Sequence, residues 1–138
     1  MMKAFDAPSR EECTATRPRS NTPLAALVLL NDPTFIECAK ALAISTVTNA
    51  QVGTRDADRI QYAFRQVTSR VPDETETATL ISLLEQDRHE FQKSPESATK
   101  INQIGLLERD SSVDPVELAA WTSVCRAILN LSETYSRE

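Results

Sequence analysis

Apolar side chains recur along this chain in three- and four-residue steps, and prolines mark where the runs begin. Ile60, Ala63, Phe64 and Val67 stand at i, i+3, i+4 and i+7, one face of a helix starting near Asp56 and ended by Val71-Pro72. A second run, from Pro33 to about Thr48, sets Phe35, Ala39, Leu42 and Thr46 on one stripe. A third, from about Glu74 to Gln92, carries Leu80, Leu83, Leu84 and Phe91 opposite a face rich in charge. The strongest pattern runs from Pro115 to about Leu131, with Leu118, Trp121, Thr122, Cys125, Ile128 and Leu129 in register. This helix is expected at the centre of the core, packed against those containing Phe35 and Phe64. A weaker helix from Pro95 to about Ile104 faces Ala98, Ile101 and Ile104 inward, with Gly105 as its C-cap.

The starts are written in local chemistry. Thr22-Pro23, Asp32-Pro33, Ser94-Pro95 and Asp114-Pro115 each place a side-chain acceptor at an N-cap and proline at the first helical position. There the missing N–H costs nothing. Asp73 with Glu76 and Asp114 with Glu117 have capping-box spacing. The first helix, Pro23 to about Leu30, is short and is restarted by Asn31-Asp32-Pro33. Residues 1–21 have no periodicity and form an extended arm; residues 22–138 form the helical domain. The expected fold is all-α, an irregular or orthogonal bundle of five to six helices behind that arm.

Composition narrows the function more than it defines it. Only two glycines among 138 residues argue against a hairpin-rich fold. A net charge of −5 argues against nucleic acid, since phosphate affinity comes from lysine and arginine. The longest apolar run, Leu24 to Leu30, is too short for the ~20 residues of a membrane span. Three scattered cysteines (Cys13, Cys38 and Cys125) and one histidine (His89) form neither a CxxC pair nor a four-ligand zinc set, so no metal or cofactor is expected. Cys38 and Cys125 fall among apolar neighbours and read as core thiols. Cys13, in the arm beside Arg10 and Arg17, lies where nearby cations lower a thiol pKa, so a reactive thiol there is the lesser alternative to an inert one. His89 lies on the charged side of its helix and reads as a solvated surface group. Arg17, Arg19 and Asn21 precede a helix N-terminus and can hold an anion, or acidic side chains of a neighbouring domain. The neighbouring domain is the preferred reading.

Several blocks resemble a known family. Phe5-Asp-Ala-Pro-Ser-Arg-Glu-Glu-Cys13, Arg17 and Arg19 before Asn21-Thr-Pro-Leu24, and Ala26 through Asn31-Asp-Pro33 form the first. Asp58-Arg-Ile60, Ala63-Phe-Arg65, Arg70 with Pro72, Asp114 through Trp121 and Leu129 through Glu133 continue it. They are similar to the C-terminal region of the domain-of-unknown-function family numbered fifteen fifty-three, found in large planctomycete-type proteins with a cytochrome-c-like domain. Ala25 stands where that family has glutamine, and Ser69 where glycine is common. The resemblance implies that the family domain begins upstream of Phe5, that this chain is its C-terminal part, and that the setting is extracytoplasmic. It brings no established reaction. The function expected is therefore a non-catalytic structural and interaction module, binding upstream domains of a longer polypeptide, or another protein, through its arm and first helix. The alternative is that Arg17, Arg19 and Asn21 contribute to a composite anion- or substrate-binding site of an extracytoplasmic enzyme.

Overall fold

The structure of the protein, a computed structural model, describes residues 27–28, 30–107 and 111–135. Among them are six bounded helices: α1 (Pro33–Thr48), α2 (Asp56–Thr68), α3 (Glu74–Lys93), α4 (Pro95–Asn102), α5 (Pro115–Leu129) and α6 (Ser132–Tyr135). No strand occurs among the described residues. Residues 27, 28, 30 and 31 are also helical, the end of the expected first helix. The arm lies outside the described residues.

Most starts follow the cap chemistry. The Asp32 side chain accepts from the Thr34 N–H at 2.9 Å, and Pro33 takes the first helical position. Asp73 and Glu76 close a full capping box, with Glu76 N–H donating to Asp73 at 2.7 Å and Asp73 N–H donating to Glu76 at 2.8 Å. Asp114 accepts from the N–H groups of Val116 and Glu117, but the expected box stays half made. Glu117 turns instead to Arg88 and Trp121, where a guanidinium and an indole N–H offer stronger partners than one exposed amide. Ser94 makes no side-chain cap bond to α4. It ends α3 and begins α4 at once, its N–H bonded to the Glu90 carbonyl and its hydroxyl to Ser97.

α5 is the axis of the core. It packs against α1, α3 and α4, and less extensively against α2. Leu118, Trp121, Val124, Cys125 and Ile128 are all buried. Each such side chain stabilises the fold by roughly 1.5–3 kcal/mol relative to exposure. Ala39 and Ala43 of α1, Ala63 of α2 and Ala98 of α4 are fully buried, and their small side chains let the surrounding helices approach α5 closely. Thr122 returns its hydroxyl to the Leu118 carbonyl at 2.7 Å, so a polar residue sits in the core without an unmet donor.

α1 differs from expectation. Its buried face is Ile36, Ala39, Lys40, Ala43 and Thr46, while Phe35 and Leu42 are only half-buried. The stripe is turned toward a lysine, which periodicity of apolar residues cannot anticipate. Cys38 is a correction as well: it is exposed, because it lies about 100° around the helix from Ala39. Cys125 is buried, and burial pushes its thiol pKa up, which leaves it an unreactive core group.

Candidate functional site

The turn after α4 is held from below by two side chains of α1. Lys40 is wholly buried, and its ammonium donates to the carbonyls of Asn102 at 3.1 Å, Ile104 at 2.8 Å and Leu107 at 2.7 Å. Three protons meet three acceptors, so the charge is buried without an unmet donor. One turn earlier, Glu37 Oε1 accepts from the N–H groups of Leu106 at 2.9 Å and Leu107 at 2.5 Å. Gly105 supplies φ +87, which L side chains rarely adopt; a Cβ there would also meet Glu37 at 2.8 Å. α4 itself ends at Asn102, so Gly105 acts in the following turn rather than as a C-cap. The turn directs backbone polar groups inward and presents Leu106, 95% exposed, to solvent.

Two arginines tie the other helices. Arg88 of α3 lies between Asp56 at the start of α2 and Glu117 in the first turn of α5, with bonds of 3.0 and 2.9 Å among its contacts. Both carboxylates raise its pKa against the opposing effect of burial. The same Glu117 accepts from the Trp121 indole N–H at 2.9 Å, so the core tryptophan keeps its one polar atom bonded. Arg70 grips Glu76 of α3 and Glu133 of α6, each through two of its nitrogens, and stacks 4.7 Å from the Phe64 ring centroid. Its hydrogen bonds, with those of the Asp73 amide, hold the Glu76 carboxyl below the ordinary carboxylate range.

Between α2, α3 and α5 lies an open groove of about 320 Å³, walled by Phe64, Leu80, Leu83, Ala127, Ile128 and Leu131. Thr75, Glu76 and Thr79 form one rim. The two threonine hydroxyls are already bonded within α3 and its cap, which leaves the groove mainly apolar. Elsewhere on α5 the guanidinium of Arg126 holds the Leu30 carbonyl, fixing the end of the first helix to α5. Asp87 faces this region; burial raises its carboxyl pKa, opposed by Ser123 and Arg126 and reinforced by Glu90.

Arg17, Arg19 and Asn21, expected as the anion or domain contact, lie outside the described residues, as does Cys13. His89 is exposed. No group of three or more histidine, cysteine or acidic side chains able to hold a metal occurs among the described residues. None of the described helices is long and apolar enough to cross a membrane. The features that sequence reasoning missed are the Lys40–Glu37 support and the exposed Leu106. The visible signal was Gly105-Leu106-Leu107, an apolar pair placed immediately after a turn glycine.

A family model described as "PSD1: Protein of unknown function (DUF1553)" matches residues 1–84. No curated protein and no solved structure matches the chain. The match stops inside α3, short of the Trp121 helix. It covers more than half of the 138 residues, and the chain belongs to this family.

Proposed function

We propose that this member of the DUF1553 family is a non-catalytic helical interaction module of a larger extracytoplasmic protein, and that it docks through apolar side chains presented on rigid supports. The observation carrying this reading is the turn at 103–107. Leu106 contributes little to the core, yet a buried lysine and a glutamate fix the backbone that displays it. Ordering a loop on binding normally lowers affinity, and a turn already fixed avoids that loss. Leu27, 59% exposed, has a similar placement: the carbonyl three residues on is held to the body by Arg126. Isolated exposed leucines are common on protein surfaces, so the weight falls on their supports rather than on their exposure. The C-terminal position and the extracytoplasmic setting are supported by the family resemblance of the sequence blocks.

The test compares this chain alone with the same chain expressed together with the polypeptide encoded upstream of Met1. Leu106→Ser and Leu27→Ser should leave the melting temperature of the isolated chain unchanged. In the longer protein each should loosen the junction, seen as faster hydrogen exchange at residues 27–31 or 103–107. If no coding frame continues upstream, or if both substitutions are silent in the longer protein, the reading fails.

A further inference from the structure

Arg70, in the link between α2 and α3, ties together two sides of the apolar groove. Its guanidinium donates to Glu76 on the α3 rim, through Nη1 at 2.8 Å and Nη2 at 2.6 Å. It donates equally to Glu133, through Nε at 2.9 Å and Nη2 at 2.7 Å. Glu133 stands in α6, two residues after the groove wall Leu131, and the Phe64 wall lies under the guanidinium. We propose that this groove binds an amphipathic carboxylate, its alkyl tail between the walls and its head on Arg70, and that Glu133 occupies the head position until displaced.

The bonds of Arg70 define the head position. Glu76 is committed twice over, to Arg70 and to the Asp73 amide, and it belongs to the capping box of α3. Glu133 has no such second role in a cap. Exchanging its carboxylate for that of a ligand leaves no N–H of Arg70 unmet and keeps the bidentate fork, which a neutral head group cannot match. Glu133 is also weakly anchored. In its short helix Ser132 and Glu133 are exposed and Thr134 is only half-buried, its hydroxyl bonded to the Ile128 carbonyl at 3.1 Å. Segments with so little buried surface open locally without unfolding the rest.

The tail position follows from the walls. Phe64, Leu80, Leu83, Ala127, Ile128 and Leu131 enclose about 320 Å³, the small end of the range for ligand cavities. The Thr75 and Thr79 hydroxyls are spent within α3 and its cap, so nothing along the tail requires a polar partner. Burying an alkyl chain there supplies the free energy that displaces Glu133. This inference goes beyond the docking reading and does not depend on Leu106 or Leu27.

The experiment titrates decanoate, and decanol as its uncharged counterpart, into the full chain with labelled leucine methyls. Decanoate should shift the Leu80, Leu83 and Leu131 methyl resonances. Glu133→Ala removes the competing carboxylate from an exposed position and should tighten decanoate binding roughly fivefold, the effect of one well-formed exposed ion pair. Arg70→Met should weaken it about tenfold or more, as loss of a charged hydrogen-bond pair does, with Arg70→Lys in between. Decanol should bind the three proteins alike. Absence of decanoate shifts at these methyls, in both the unchanged chain and Glu133→Ala, overturns the proposal. So does equal decanoate affinity with and without Arg70, which would reduce the groove to an unspecific apolar surface. Neither result involves the Leu106 turn, so the docking reading stands or falls separately.

Discussion

Around Trp121 the interior is apolar: Ile60, Leu84, Leu118 and Cys125 belong to the same cluster, and one hydrogen bond to Glu117 serves the indole. Around Lys40 it is polar. A side chain as fully buried as Trp121 is surrounded by main-chain carbonyls, and the turn it holds shows a leucine to solvent. The first region is fixed by non-directional burial, which tolerates some change of shape. The second is fixed by directional bonds, in which three acceptors need three donors. Burial alone therefore does not say what a residue contributes; the partners of its polar atoms do.

The comparison breaks first at Trp121. Trp121→Ala removes the largest core side chain and should cost about 3–5 kcal/mol in chemical denaturation, from lost burial and the cavity left behind. Emission from the native protein should be blue-shifted and poorly quenched, because the indole is wholly buried. Lys40→Met tests the other region, keeping a long flexible side chain and removing the donors. Leaving the carbonyls unmet should cost about 2–3 kcal/mol. Replacing a buried charge by a hydrophobic group is sometimes stabilising. A neutral or stabilising Lys40→Met would mean that relief of the buried charge offsets the lost bonds, and faster hydrogen exchange at Leu106 and Leu107 in that variant is then the sign that the ammonium holds the turn.

The two regions also differ in how far the sequence revealed them. Leu118, Trp121, Cys125 and Ile128 announce a buried helix face because their spacing is periodic, and the Asp32, Asp73 and Asp114 caps announce helix starts because their chemistry is local. Lys40 announces nothing. Its partners lie 62 to 67 residues away, and acceptors supplied by the backbone leave no trace in residue types. Tertiary partners likewise drew Glu117 out of its expected capping box, and an α1 face built around a lysine left Cys38 outside.

Smaller effects sharpen the contrast at the ends of helices. Ser69 closes α2 with φ 65 and ψ 7, a left-handed conformation that glycine adopts without steric cost. Ser69→Gly should raise stability by up to about 1 kcal/mol, measured by denaturant midpoint. This also gives a physical reason for the glycine expected at that position.

Carboxylates should pull in opposite directions with pH. Glu76 has a depressed pKa, so its contribution is present above the ordinary carboxylate range and lost as pH falls through the depressed value. Asp87 has a raised pKa, so its ionised form is disfavoured by folding, and the penalty disappears when acid protonates it. Asp87→Asn should therefore raise the melting temperature slightly at neutral pH, with the gain vanishing below the carboxylate range. A gain that persisted in acid would point to packing rather than charge.

The most direct measurement is hydrogen exchange at the amides of Leu106 and Leu107 in the isolated protein. Both donate to Glu37 Oε1, in a turn whose carbonyls are held by Lys40. They should exchange far more slowly than a free peptide, as amides of a fixed structure do, although Leu106 itself is exposed. Exchange at the free-peptide rate would mean that the turn is not held, and that Leu106 is not presented to a partner on a rigid support.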